Sequence, residues 1–277
     1  MFAMIFSTVT PPERASRRRP RKLTVALVAV LAAILLAGGA FFAYASSYYR
    51  AGEIAQAQID SPDGPPVVHG EDYLAFGDER ADIGVVLYPG AKVEFSAYAP
   101  LARKLSERGC FAVIVRMPFN FAFFNVGAAD RARAAFPDVG SWWVGGHSLG
   151  GAMAAQYAAD HADDPDLTGV VLLAAYSASD LSGADLGAVT VYGSNDLVLD
   201  REKLAAGKAL LPAGSLTVEI AGGNHAGFGD YGPQDGDGEQ AIGADRQQEE
   251  AADAVVAYMR ERATAAGNGK DALPKAA

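Results

Sequence analysis

Cysteine is almost absent from this sequence: Cys110 stands alone among 277 residues. No intrachain disulfide can form, and one thiol builds no zinc site without histidine and carboxylate partners. Cys110 opens the apolar run Cys110–Val115, so a small buried hydrophobe is expected in preference to a reactive thiol. The scarcity leaves the compartment open, since an exported chain need not carry disulfides. Basic charge is also scarce, except in one place. Six of the 23 basic residues (Arg14, Arg17, Arg18, Arg19, Arg21 and Lys22) precede position 23, against one acid, Glu13, out of 33. The rest of the chain is therefore strongly acidic. That excludes the basic face on which nucleic acid binds, and is read here as solubility. Hydrophobic residues make up 50% and charged residues 20%, which excludes a disordered chain. The length suits one sizeable domain, or at most two small ones.

What is present first is a long uncharged run. Leu23 to Ala45 reads LTVALVAVLAAILLAGGAFFAYA. As a helix it spans ~35 Å, against a bilayer hydrocarbon core of ~30 Å. With basic residues 1–22 ahead of it, the N-terminus is expected in the cytoplasm and the body outside. Tyr44, Tyr48 and Tyr49 fall where an interfacial aromatic belt would lie. Ala43-Tyr44-Ala45 also fits a small-x-small cleavage site, which makes a removed signal peptide and a secreted body the alternative. The anchor is favoured, because the run exceeds an ordinary signal core.

Residues 46–66 are polar and end in the turn sequence Ser-Pro-Asp-Gly-Pro-Pro, so they read as a linker. An edge strand is expected near Tyr73–Phe76. Short continuous apolar runs follow at Ile83–Leu87, Phe111–Val115, Trp142–Val144, Val170–Ala174, Val189–Tyr192 and Leu216–Ile220, the pattern of strands buried on both faces. Amphipathic segments lie between several of them: Tyr98–Arg108, Leu149–His161 and Lys203–Leu211, with Gln247–Ala263 last. The alternation predicts an α/β fold over 67–263, a mostly parallel sheet with helices on both faces, and an alanine-rich disordered tail at 264–277. Ligands gather beyond the C-terminal strand ends of such sheets.

Just past one strand stands Gly146-His147-Ser148-Leu149-Gly150-Gly151, a G-x-S-x-G running into an alanine-rich helix. A serine turned sharply out of a strand needs small neighbours, which Gly146 and Gly150 supply. The helix N-terminus then favours negative charge developing near Ser148. The plain alternative is a serine N-cap on an ordinary turn. A serine hydroxyl needs a base, and four histidines are available. His147 points away from its neighbour's hydroxyl, His161 reads as a helix C-cap and His69 lies close behind the linker. His225 follows the last strand, in Ala221-Gly-Gly-Asn-His-Ala226.

Gly146–Gly151 resembles the nucleophile elbow of the α/β-hydrolase family, and the order of elements from about Tyr73 to Ala263 is similar to that fold. The resemblance implies a serine hydrolase with Ser148 as nucleophile, His225 as base and an acid between them in the chain. Asp196, in the turn Gly193-Ser-Asn-Asp196, fits the acid position. Asp200 reads better as a helix cap. Backbone N–H groups of Leu149 and Ala91 would hold the oxyanion, with Gly90 the close second. Pro89 stands where the family often has histidine. The apolar segment Met117–Asn125 brings Phe119, Phe121 and Phe123 forward either as core or as an acyl-binding wall. Asp230, Asp235 and Asp237 lie in a glycine-rich loop that lacks the glutamate of a calcium-binding EF-hand. That loop resembles one in a small cap-less branch loosely allied with dienelactone hydrolases, whose members usually carry a cysteine nucleophile. No cofactor or metal is implied. The expectation is a membrane-anchored enzyme cleaving a small-molecule ester. An acyltransferase using the same residues on an envelope acceptor, or a silent binding module, are the rival readings.

Overall fold

The computed structural model describes residues 22–271, in two units divided between Tyr44 and Ala45. The first is carried by helix α1 (Lys22–Ser46), which encloses the long apolar run. Among the described residues it is the one helix long and apolar enough to cross a bilayer, by length and composition. The basic cluster before Lys22 lies outside the described residues, as do 272–277 of the expected tail.

The second unit is an eight-stranded sheet. Its strands are β1 (Val67–His69), β2 (Tyr73–Phe76), β3 (Gly84–Tyr88), β4 (Phe111–Val115), β5 (Trp142–His147), β6 (Leu167–Leu173), β7 (Gly187–Gly193) and β8 (Leu216–Ile220), in spatial order β1-β2-β4-β3-β5-β6-β7-β8. All pairings from β4 to β8 are parallel, while β2 runs antiparallel to both β4 and β1. Among the described residues, six α-helices accompany the sheet: α2 (Glu53–Asp60), α3 (Ala99–Glu107), α4 (Ala128–Ala135), α5 (Leu149–Asp160), α6 (Arg201–Gly207) and α7 (Ala244–Asp271).

Successive strand residues face opposite layers, as the pleat requires. Val85 and Leu87 pack with Leu101 and Leu105 of α3 and Val255 and Met259 of α7. Val86 and Tyr88 pack on the other face with Ala129 and Ala132 of α4 and Ala154 and Ala158 of α5. Covering both faces removes the need for polar alternation in β3 to β7, whereas the edge strand β8, expected to be buried on both faces, alternates in sequence and is only partly buried. Trp143 is buried under α7, and its ring crosses Gly169 and Gly187, where a Cβ would collide with it. Cys110 is buried, and burial pushes its thiol up to about 11.

Two expectations are corrected. Residues 46–66 are no free linker: α2 lies within them and buries Ala55 and Ile59 in the main core. The buried Arg103 side chain donates to the carbonyls of Gln58 and Pro65, which ties the stretch to α3. At the other end, α7 continues past Thr264 to Asp271, so the expected tail begins as helix.

The topology also fixes where chemistry can occur. From β3 the chain first moves outward to β4, then crosses back to β5 on the other side. The loops after β3 and β5 therefore diverge around a crevice at the C-terminal strand ends. They are the loops of Ala91 and Ser148.

Candidate active site

Ser148 sits at the junction of β5 and α5 with φ 53° and ψ −123°, a strained conformation for a residue with a side chain. Its neighbours explain why the turn tolerates only glycine. A Cβ on Gly146 would lie 2.7 Å from the Tyr88 carbonyl oxygen, and one on Gly150 would collide with the carbonyls of Tyr88 and Pro89. One on Gly151 would lie 2.5 Å from the Ala175 Cβ. The turn is anchored by Ser148 N–H donating to Leu173 O at 2.9 Å. Ser148 occupies the N-cap position of α5, yet its hydroxyl makes no capping bond. The ordinary N-cap reading therefore fails, and Oγ remains available.

His225 follows β8 and is 1% exposed. Its Nδ1 lies 2.9 Å from Oδ2 of Asp196, which is itself 2% exposed. The other carboxylate oxygen of Asp196 accepts the N–H groups of Val198 and Leu199 at 2.9 and 2.8 Å. A carboxylate oxygen accepts, so in this contact Nδ1 is the donor and carries its proton toward Asp196. Nε2 is left as the basic nitrogen, and it has no hydrogen-bond partner among the described residues. Asp200 does something else: it caps α6, accepting from Glu202 N–H at 3.1 Å and Lys203 N–H at 3.0 Å.

Ser148 and His225 line one cavity of about 430 Å³, together with Leu149, Ala175, Tyr176 and Val198. Leu149 N–H opens the first turn of α5. Across the crevice, Gly90 N–H is committed to Tyr98 Oη at 3.0 Å, whereas Ala91 N–H has no acceptor among the described residues. Of the two N–H groups, the one at Ala91 is therefore left uncommitted. Phe119, Phe121 and Phe123 are not part of this cavity. Their loop turns through left-handed Phe119 and Asn120 and closes on itself, with Phe121 buried and the Phe121–Phe123 ring centroids 5.2 Å apart. The cavity wall comes instead from Ala174–Tyr176 and Val198–Leu199, which the sequence did not single out.

The glycine-rich loop after His225 is a scaffold. Both oxygens of Asp237 accept backbone N–H groups, from His225 at 3.1 Å and Ala226 at 2.8 Å. Asn224 is held by Gln247 of α7 through bonds of 3.0 and 2.8 Å at its N–H and carbonyl. Asp230 reaches back 175 residues to cap α2, accepting Ala55 N–H at 2.7 Å. Their carboxylates thus have structural work, and no cluster of three or more metal-ligating side chains occurs among the described residues.

Many solved structures share this architecture, three of them as follows. Est1E from Butyrivibrio proteoclasticus is 15% identical with a TM-score of 0.51, the match covering 73% of this chain and 100% of that one. The dienelactone hydrolase of Anabaena variabilis is 16% identical, TM-score 0.50, over 70% and 96%. The esterase domain of a Rhodothermus marinus protein is 14% identical, TM-score 0.50, over 71% and 98%. At such identities the likeness speaks for the fold. No curated protein matches the sequence. A family profile described as "Alpha/beta hydrolase family" does, over residues 84–249, more than half of the chain. That span runs from β3 through Ser148, Asp196 and His225 into α7, and the chain belongs to the alpha/beta hydrolase family.

Proposed function

We propose that this chain is a serine hydrolase that cleaves a small or extended ester through an acyl-enzyme on Ser148. The observation that carries the reading is the juxtaposition at one cavity: a strained serine with an uncommitted hydroxyl, and a histidine whose Nδ1 is engaged by a buried carboxylate. In the proposed reaction His225 Nε2 takes the Ser148 proton as Oγ attacks the ester carbonyl. The oxyanion is received by the N–H groups of Leu149 and Ala91, each such donor being worth about 3 kcal/mol to the transition state. His225 returns the proton to the leaving alcohol. Water, deprotonated by the same nitrogen, then releases the acid and restores Ser148. The connection between β6 and β7 holds no inserted helical cap, which supports an open site over one that encloses a long lipid.

A fluorophosphonate probe is expected to label the folded protein once, on Ser148, as read by peptide mapping. An adduct elsewhere, or none on folded protein, overturns the proposal. Product analysis with and without added alcohols separates hydrolysis from acyl transfer.

The second part of the proposal concerns α1, which supports a single-pass anchor with the N-terminus cytoplasmic and the hydrolase outside the membrane. Its grounds are the length and apolar composition of α1 and the basic residues ahead of it. External protease on intact cells is expected to digest the body and spare the N-terminus. A protected body reverses the orientation, and a mature N-terminus at Ser46 replaces the anchor with a cleaved signal.

A further inference from the structure

Between the loop that carries Ala91 and the loop that carries His225 lies a buried pair of side chains that the proposed reaction leaves unused. His147 is 1% exposed and Tyr98 2%. Tyr98 Oη lies 3.0 Å from Gly90 N and 2.8 Å from His147 Nδ1, and His147 Nε2 lies 3.0 Å from the His225 carbonyl oxygen. The rings of His225, Phe228 and Tyr231 pack around the imidazole. A Cβ on Gly90 would come within 2.8 Å of Nδ1 and 3.0 Å of Oη, so the loop backbone rests directly on the pair.

The ends of this chain of bonds fix its direction. Gly90 N–H can only donate, and the His225 carbonyl can only accept. Tyr98 Oη accepts from Gly90 and turns its own proton to Nδ1. Nδ1 must then be unprotonated, so neutral His147 carries its proton on Nε2 and gives it to the carbonyl of His225. The opposite tautomer would set two lone pairs against each other at that carbonyl. An imidazolium would leave the Tyr98 proton without its acceptor. Burial, with the neighbouring His225 as a smaller cause, keeps the His147 imidazole well below its usual pKa and therefore neutral.

We infer that Tyr98 and His147 are positioning residues: their buried chain of bonds, from Gly90 N–H to the His225 carbonyl, sets the spacing between the oxyanion loop and the base. The inference rests on the reading of Ser148, His225 and Ala91 given above. Displacements on the scale of an ångström at reacting groups cost on the order of 10²-fold in rate. Rigid support from fully satisfied polar groups prevents such displacement.

The test uses the full-length protein in detergent, labelled with ¹⁵N-histidine, with His147→Gln to assign the resonance. His147 is expected as the neutral Nε2–H tautomer from pH 5 to 8. Tyr98→Phe, which keeps the ring and removes the link, is expected to move the Nδ1 resonance of His147 and to lower kcat on an activated ester by about 10–100-fold, with KM nearly unchanged. Fluorophosphonate should still map to Ser148, at a rate reduced in step with kcat. A proton on Nδ1, titration of His147 between pH 5 and 8, or an unchanged kcat in Tyr98→Phe overturns the inference. Should Tyr98→Phe fail to fold, the wild-type tautomer decides alone. Loss of Ser148 labelling in the wild type would instead overturn the proposed reaction, a result the tautomer does not influence.

Discussion

Ser148→Ala is expected to fold as the wild type does while losing turnover by a factor on the order of 10⁶, as serine-triad enzymes do when the nucleophile is removed. The separation of the two effects follows from local geometry. The hydroxyl makes no capping bond to α5, so its deletion leaves no backbone donor newly unpaired. The positive φ of 53° remains, since alanine carries the same Cβ as serine, and the strain is unchanged. Ser148→Gly should behave differently. Glycine adopts positive φ freely, and releasing strain of about 1–3 kcal/mol should raise the unfolding midpoint while activity stays absent. Rates on one activated ester, with urea unfolding of all three proteins, test the pair. Substantial residual turnover in Ser148→Ala would remove Ser148 from the reaction. A glycine variant less stable than the alanine one would show that the turn holds no such strain.

The inner strands β3 to β7 were legible because they are buried on both faces, which leaves an unbroken apolar run such as Val85–Leu87 or Val170–Leu172 in the sequence. Asp196 and His225 were legible for a related reason: they sit directly after strands, where a parallel sheet gathers its ligands. Features made by distant closure were not. Helix α2 has two buried apolar positions, and its N-terminal donor Ala55 N–H is met by Asp230, 175 residues away in sequence. Asp237 read as part of a polar loop, because nothing local says that its carboxylate turns back onto the N–H groups of His225 and Ala226. Local reasoning correctly turned His147 away from the serine hydroxyl. What meets it on the far side, Tyr98 and the His225 carbonyl, comes from segments 49 and 78 residues away. The phenylalanine loop is the opposite case. Its composition announced apolar contact, but composition is silent on direction, and two left-handed residues fold the segment onto itself beside α5.

Asp196→Asn is expected to lower turnover by ~10⁴-fold with little change in fold, and the surrounding bonds give the reason. Asparagine matches aspartate in shape but has one acceptor end and one donor end. The N–H groups of Val198 and Leu199 both point at Oδ1, so they hold the amide oxygen on their side. The amide NH₂ is thereby turned toward His225 Nδ1. Two donors cannot face each other, so Nδ1 gives up its proton and becomes the acceptor. The neutral imidazole is then protonated on Nε2, the atom that should receive the proton of Ser148. Asp200→Asn carries no such consequence. Its carboxylate accepts two backbone N–H groups at the start of α6, a role asparagine fills about as well. Turnover and thermal unfolding should both stay close to wild type, although the residue lines the same cavity. Both variants are measured on one activated ester, with circular dichroism for folding and ¹⁵N shifts of His225 for its tautomer. A severe loss in Asp200→Asn beside a mild one in Asp196→Asn would transfer the acid's role to Asp200. A His225 that keeps its proton on Nδ1 in Asp196→Asn would break the argument from the two backbone donors.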